Sequence, residues 1–80
     1  IGTGEDITYK EYEKKVDIIL LKEHLEVLDD RDKQIMTMRY GLNNTKEYTQ
    51  KEVAELLGIS QSYISRIEKK VIKKLKLYLE

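Results

Sequence analysis

Residues 50–69 read Gln50-Lys51-Glu52-Val53-Ala54-Glu55-Leu56-Leu57-Gly58-Ile59-Ser60-Gln61-Ser62-Tyr63-Ile64-Ser65-Arg66-Ile67-Glu68-Lys69. The stretch opens on a capping box, Thr49-Gln50-Lys51-Glu52, which predicts a short helix ending at Leu57. Gly58 stops that helix, because glycine accepts the positive φ that a tight turn requires. Ser60 caps a second helix, expected to run to about Leu79 and so to reach nearly 30 Å at about 1.5 Å per residue. Ala54 is small where the second helix must cross the first. Val53, Leu57, Ile59, Ile64, Ile67 and Val71 can lock the pair, and Ile64, Ile67 and Val71 at i, i+3 and i+7 form one inward stripe. Gln61, Ser62, Ser65, Arg66 and Lys69 are left on the opposite face.

Upstream, Thr8-Tyr9-Lys10-Glu11 is another capping box. Tyr12, Val16, Ile19, Leu20, Leu25 and Leu28 recur near helical spacing after it and predict a helix over about 9–28. Asp29 and Asp30 supply the cap and the acidic first turn of a helix over about 31–40. That helix should bury some combination of Ile35, Met36, Met38 and Tyr40, with Gly41 closing it. Asn43-Asn44-Thr45 is turn chemistry. The chain has no proline and no strand candidate, so the expected fold class is all-α. The expectation is a small four-helix domain over 8–80, ending in a helix-turn-helix with a long recognition helix. Residues 1–7, with Gly2 and Gly4, read as a linker or tail.

At 80 residues, one modest core is the most the chain can build. It has no cysteine, which excludes disulfides and thiolate zinc sites and fits a reducing, cytoplasmic setting. No apolar run approaches the roughly 18–20 residues that span a bilayer, so no membrane partner is expected. A start at Ile1 rather than Met suggests a piece cut from a longer protein. His24 is the only histidine. Asp29, Asp30 and Asp32 lack the glycine and the distal bidentate Glu of a calcium loop, and helix capping explains them better. No glycine-rich phosphate loop occurs. No catalytic residue, cofactor or metal is therefore expected.

The zero net charge conceals a split. Residues 1–48 carry eight basic and eleven acidic side chains, and residues 49–80 carry seven and four. The basic excess lies between Arg66 and Lys76. Screening beyond about 8–10 Å makes such local charge matter more to a phosphate backbone than the total does.

In a helix-turn-helix the start of the second helix enters the major groove. Gln61 can pair with adenine, and Arg66 with O6 and N7 of guanine. Ser62 and Ser65 are short enough for close approach. Lys69, Lys70 and Lys73 lie where a long helix meets the sugar–phosphate backbone. The N-terminus at Thr49 and Gln50 offers free N–H groups to a phosphate, and Lys51 adds charge. Two readings of Tyr63 stay open: a donor to a phosphate, or a partly buried packing residue.

The blocks Leu28-Asp29-Asp30-Arg31-Asp32-Lys33-Gln34-Ile35-Met36, Met38-Arg39-Tyr40-Gly41-Leu42, Tyr48-Thr49-Gln50-Lys51-Glu52-Val53-Ala54 and Ile59 to Lys70 resemble one known family. It is region 4, the C-terminal domain, of bacterial RNA polymerase sigma factors of the primary type. The resemblance covers roughly Leu25 to Leu77. Within the class, the stretch from Gly58 to Leu75 is similar to the sporulation factors of the sigma-E and sigma-K type.

The resemblance implies binding to the −35 element of double-stranded promoter DNA. Gln61, Ser62 and Arg66 fall at base-contacting positions. Arg31, Arg39, Thr49, Gln50 and Lys69 fall at phosphate-contacting ones. Ser62 stands where primary sigma factors often carry Glu, an acceptor for cytosine. The family also docks on the β-subunit flap of the polymerase core, for which Ile35, Met38 and Leu42 are candidates, each with a plain core role as the alternative. An anti-sigma factor is a further implied partner, and the domain would act as a monomer.

Two other readings remain. One is a stand-alone helix-turn-helix repressor or response-regulator output domain, which would dimerise on two half-sites. The other is a helical module whose basic helix meets an acidic protein.

Overall fold

In a computed structural model of the chain, the residues described are 8–79, so the expected linker over 1–7 lies outside them. Four α-helices follow one another: α1 Tyr9–His24, α2 Asp30–Tyr40, α3 Gln50–Leu57 and α4 Gln61–Lys76. Short 3-10 turns follow α1 at Leu25–Val27 and α4 at Leu77–Leu79. Among the described residues there is no strand, and the class is all-α.

The helix starts obey local chemistry. Thr8 and Thr49 form complete capping boxes with Glu11 and Glu52. Ser60 Oγ accepts from the Tyr63 N–H at 3.1 Å. Asp29, not Asp30, caps α2, accepting from the Asp32 N–H at 2.8 Å, so the helix begins at Asp30. A side chain can cap only from extended backbone. Leu28 and Asp29 are accordingly extended, with ψ 152° and 170°. The expected helix over 9–28 therefore ends at His24 and tightens into a 3-10 turn. The last helix likewise stops at Lys76 rather than Leu79, and Leu77 and Leu79 are exposed.

Gly41 and Gly58 both end helices in the left-handed region, at φ 61° and 69°. At Gly41 a Cβ would also stand 3.1 Å from the Thr45 carbonyl oxygen, so crowding adds to the backbone preference for glycine there. Asn43 and Asn44 share this conformation at φ 54° and 61°, which asparagine tolerates. The loop is pinned back to α2 by the Tyr48 N–H, which donates to the Met38 carbonyl at 2.8 Å.

The core forms around α4, which packs on α1, α2 and α3. Ile64, Ile67, Val71 and Leu75 of α4 meet Leu20 and Leu21 of α1, Ile35 and Met36 of α2, and Val53 and Ala54 of α3. Each fully buried aliphatic side chain contributes about 1.5–3 kcal/mol.

Two apolar assignments in α1 change, and the open ones in α2 resolve. Tyr12 and Ile19 are 60% and 55% exposed, and Leu21 is buried in their place, because α1 turns a narrow Leu20–Leu21 edge to α4. Met38 and Tyr40 pack at the rim of the core, leaving Ile35 and Met36 inside. Ile35 and Leu42 are 0% and 3% exposed, so neither is available as a docking surface.

Candidate nucleic-acid interface

Capping fixes the start of α3. The Thr49 N–H donates to Glu52 Oε1 at 2.8 Å, and Thr49 Oγ1 accepts from the Glu52 N–H at 3.1 Å. The backbone donor at Thr49 holds the Glu52 carboxyl below its ordinary range. The first N–H groups of α3, at Gln50 and Lys51, have no acceptor within the helix.

The start of α4 lies beside this end. Gln50, Gln61, Ser62, Ser65 and Arg66 line one open hollow of about 460 Å³. All four residues expected to meet bases are thus brought together, and Gln50 joins them. Gln61, Ser62 and Arg66 are exposed, and Ser65 is half-buried between them. The hollow mixes one cation, two hydroxyls and two carboxamides, the donor and acceptor set that base edges demand.

Tyr63 organises the edge of this hollow. Its hydroxyl accepts from Arg31 Nη1 at 3.2 Å, and the Arg31 guanidinium lies 5.5 Å from the ring centroid. Arg66 approaches the same ring at 5.9 Å. One half-buried aromatic ring therefore holds a cation from α2 and a cation from α4 within cation–π range. Of the two readings of Tyr63, the packing role is present, while its hydroxyl accepts from Arg31 and so still has its own O–H to donate.

The residues expected at phosphates divide into two sets. Arg31, Thr49, Lys51, Lys69 and Lys73 are exposed. Lys70 is exposed but engaged, with Nζ 3.0 Å from the buried carboxylate of Asp32. That hydrogen bond raises the Lys70 pKa. Arg39 is half-buried and engaged within the fold. Its Nε pairs with Glu68, and its Nη1 donates to the Tyr48 carbonyl at 2.7 Å. Two of its five N–H donors thus hold α2, α4 and the intervening loop together.

Glu68 and Asp32 escaped the sequence reading. Glu68 carried a signal, because it is the only acid between Arg66 and Lys76 and lies on the stripe of Gln61 and Ser65. Its Oε2 also accepts from Gln50 Nε2 at 3.2 Å. Gln61 Nε2 in turn meets Gln50 Oε1 at 3.4 Å.

Further along the same face of α4, Glu68, Lys69, Ile72, Lys73 and Lys76 line a second cleft with Asp17 and Tyr40. Asp17 Oδ1 is buried there without a hydrogen-bond partner, and burial pushes its carboxyl up. Burial, with Glu68 and Asp17 nearby, pushes the Tyr40 hydroxyl up to about 12. His24 stacks on Tyr78 with ring centroids 4.2 Å apart. Among the described residues no group of three or more His, Cys, Asp or Glu is placed to hold a metal ion. No described helix is long and apolar enough to cross a membrane.

Comparison with known proteins bears on this arrangement. The chain is 54% identical over 76 residues to the RNA polymerase sigma-E factor of Clostridium acetobutylicum, covering 95% of this chain and 32% of that protein. It is 44% identical over 77 residues to the RNA polymerase sigma-28 factor of Bacillus thuringiensis subsp. kurstaki, covering 88% and 32%. It is 43% identical over 77 residues to the RNA polymerase sigma-K factor of Bacillus subtilis, covering 88% and 26%. The chain thus spans about a third or less of the length of these curated relatives. No solved structure matches it. The family described as sigma-70, region 4 matches residues 24–77, from the end of α1 through α4. The chain therefore belongs to the sigma-70 region 4 family.

Proposed function

We propose that the chain reads the −35 element of promoter DNA as domain 4 of a bacterial RNA polymerase sigma factor, directing transcription initiation. The observation that carries this reading is the shared hollow of Gln61, Ser62, Ser65 and Arg66 at the start of α4. Gln61, Ser62, Ser65 and Arg66 meet bases. Arg31, Thr49, Gln50, Lys51, Lys69 and Lys73 meet phosphates on the two sides of the hollow, and Lys70 does so with Asp32 still paired to it. Ser62, shorter than the Glu common at this position, gives a −35 preference distinct from that of primary sigma factors.

The partners are double-stranded promoter DNA and the polymerase core, reached at the β-subunit flap. An anti-sigma factor is a further partner. The domain works as a monomer, in the cytoplasm and without a catalytic step, and sporulation is the setting the sigma-E and sigma-K resemblance favours.

The test replaces the C-terminal segment of the Clostridium acetobutylicum sigma-E factor with this chain. Transcription with core polymerase on promoters randomised around −35 should yield a distinct −35 consensus. A chimera that transcribes with no dependence on the −35 sequence would contradict the proposal.

A further inference from the structure

The polar side chains behind the reading face form one connected chain. Arg39 pairs with Glu68, Glu68 accepts from Gln50, and Gln50 accepts from Gln61. A carboxylate can only accept hydrogen bonds, whereas a carboxamide has one accepting and one donating end. Glu68 therefore forces the NH2 end of Gln50 inward, and the Gln50 carbonyl must face Gln61. Only the NH2 end of Gln61 can meet that carbonyl. Each link in the chain has one permitted sense.

We infer that Glu68, acting through Gln50, is a specificity-determining positioning residue that commits Gln61 to adenine. The inference rests on the reading of the hollow as the base-contacting face. A free glutamine has two N–H donors and can offer both to N7 and O6 of guanine. Gln61 spends one of them on Gln50. It is left with one donor and one acceptor, which match N7 and N6 of adenine and not the two acceptors of guanine. The Gln61 link is the longest and most exposed of the chain, at 3.4 Å, so the order originates at the half-buried Glu68.

The variants Gln50→Met and Glu68→Gln separate this role from plain structure. Gln50→Met keeps the Arg39–Glu68 pair and removes the acceptor for Gln61. Glu68→Gln lets residue 68 donate as well as accept, so Gln50 can turn either way.

Each protein is used for competitive selection from a pool of randomised duplexes, and the selected sequences are read. For Gln50→Met the adenine-to-guanine ratio should fall about tenfold at one position while the other positions keep their preferences. Overall affinity falls on all duplexes through the lost Gln50 contact, which leaves that ratio unaffected. Glu68→Gln should relax the same position. In the DNA-free chain, the side-chain amide resonances of Gln61 should move in both variants.

An unchanged ratio in Gln50→Met, or a loss spread evenly over all positions, would overturn the inference and leave the proposed function standing. A wild-type chain that selects no sequence at all would overturn both.

Discussion

Arg39 in α2 and Glu68 in α4 form an ion pair across the helix crossing, with side chains 21% and 12% exposed. Arg39 also holds the Tyr48 carbonyl just before α3. A single guanidinium thus ties three segments together beside the middle of the reading helix.

Removing one member of such a pair leaves the other charge desolvated. A fully buried pair loses about 3–5 kcal/mol in that way, and partial exposure brings the figure here to about 2 kcal/mol. Arg39→Ala should lower unfolding stability by this amount in urea titration. A loss comparable to that of a surface pair, about 0.5 kcal/mol or less, would mean that water replaces the guanidinium at little cost.

Arg66→Ala should weaken a cognate −35 duplex by about 1–3 kcal/mol and relax preference at one base position. Titration against a panel of single-position variants measures both effects. Equal weakening on every duplex would place Arg66 on phosphate alone.

Lys70 and Lys73 stand on the same helix, and their substitutions should behave differently. Lys73→Ala should weaken all duplexes alike and reduce the slope of log K against log salt by about 0.9, with thermal stability unchanged. Lys70→Ala should cost stability as well, about 1 kcal/mol, because it strands the carboxylate of Asp32, a residue 7% exposed. Equal melting temperatures for the two variants would show that the Lys70–Asp32 contact contributes nothing.

The buried, unpartnered Asp17 oxygen gives a pH signature. A carboxyl whose pKa is raised by folding binds its proton more tightly folded than unfolded. Its contribution favours the fold at low pH and is lost as pH rises above its ordinary value of 3.8. Asp17→Asn should therefore stabilise the chain at pH 7, by about 1 kcal/mol, with the gain shrinking toward pH 4. Urea titrations at the two pH values measure this. A variant less stable than wild type at pH 7 would mean that attraction to Lys76 outweighs the burial cost.

The parts of this fold that were legible in the sequence are those set by near neighbours. Thr8, Thr49 and Ser60 cap helices, and Gly41 and Gly58 end them, because each acts within one turn. The stripe of Ile64, Ile67 and Val71 was readable for the same reason. The end of α1 was not, since apolar spacing continues through Leu28 while the cap at Asp29 demands extended backbone. Nor could spacing choose Leu21 over Ile19, a choice made by where α4 crosses. Within the site, the grouping of Gln61, Ser62, Ser65 and Arg66 followed from one helix face. Arg39 and Glu68, 29 residues apart, depend on a helix crossing that no local pattern specifies.

The measurement that bears most directly on promoter reading is the affinity of the chain for a selected −35 duplex and a scrambled one across a salt series. Five cations, Arg31, Lys51, Lys69, Lys70 and Lys73, should give a slope of log K against log salt of about −4.5 on the selected duplex, at about 0.9 per phosphate neutralised. The selected duplex should bind at least about tenfold tighter than the scrambled one, the equivalent of a single good base contact. Equal affinity for the two duplexes at every salt concentration would contradict sequence reading by α4.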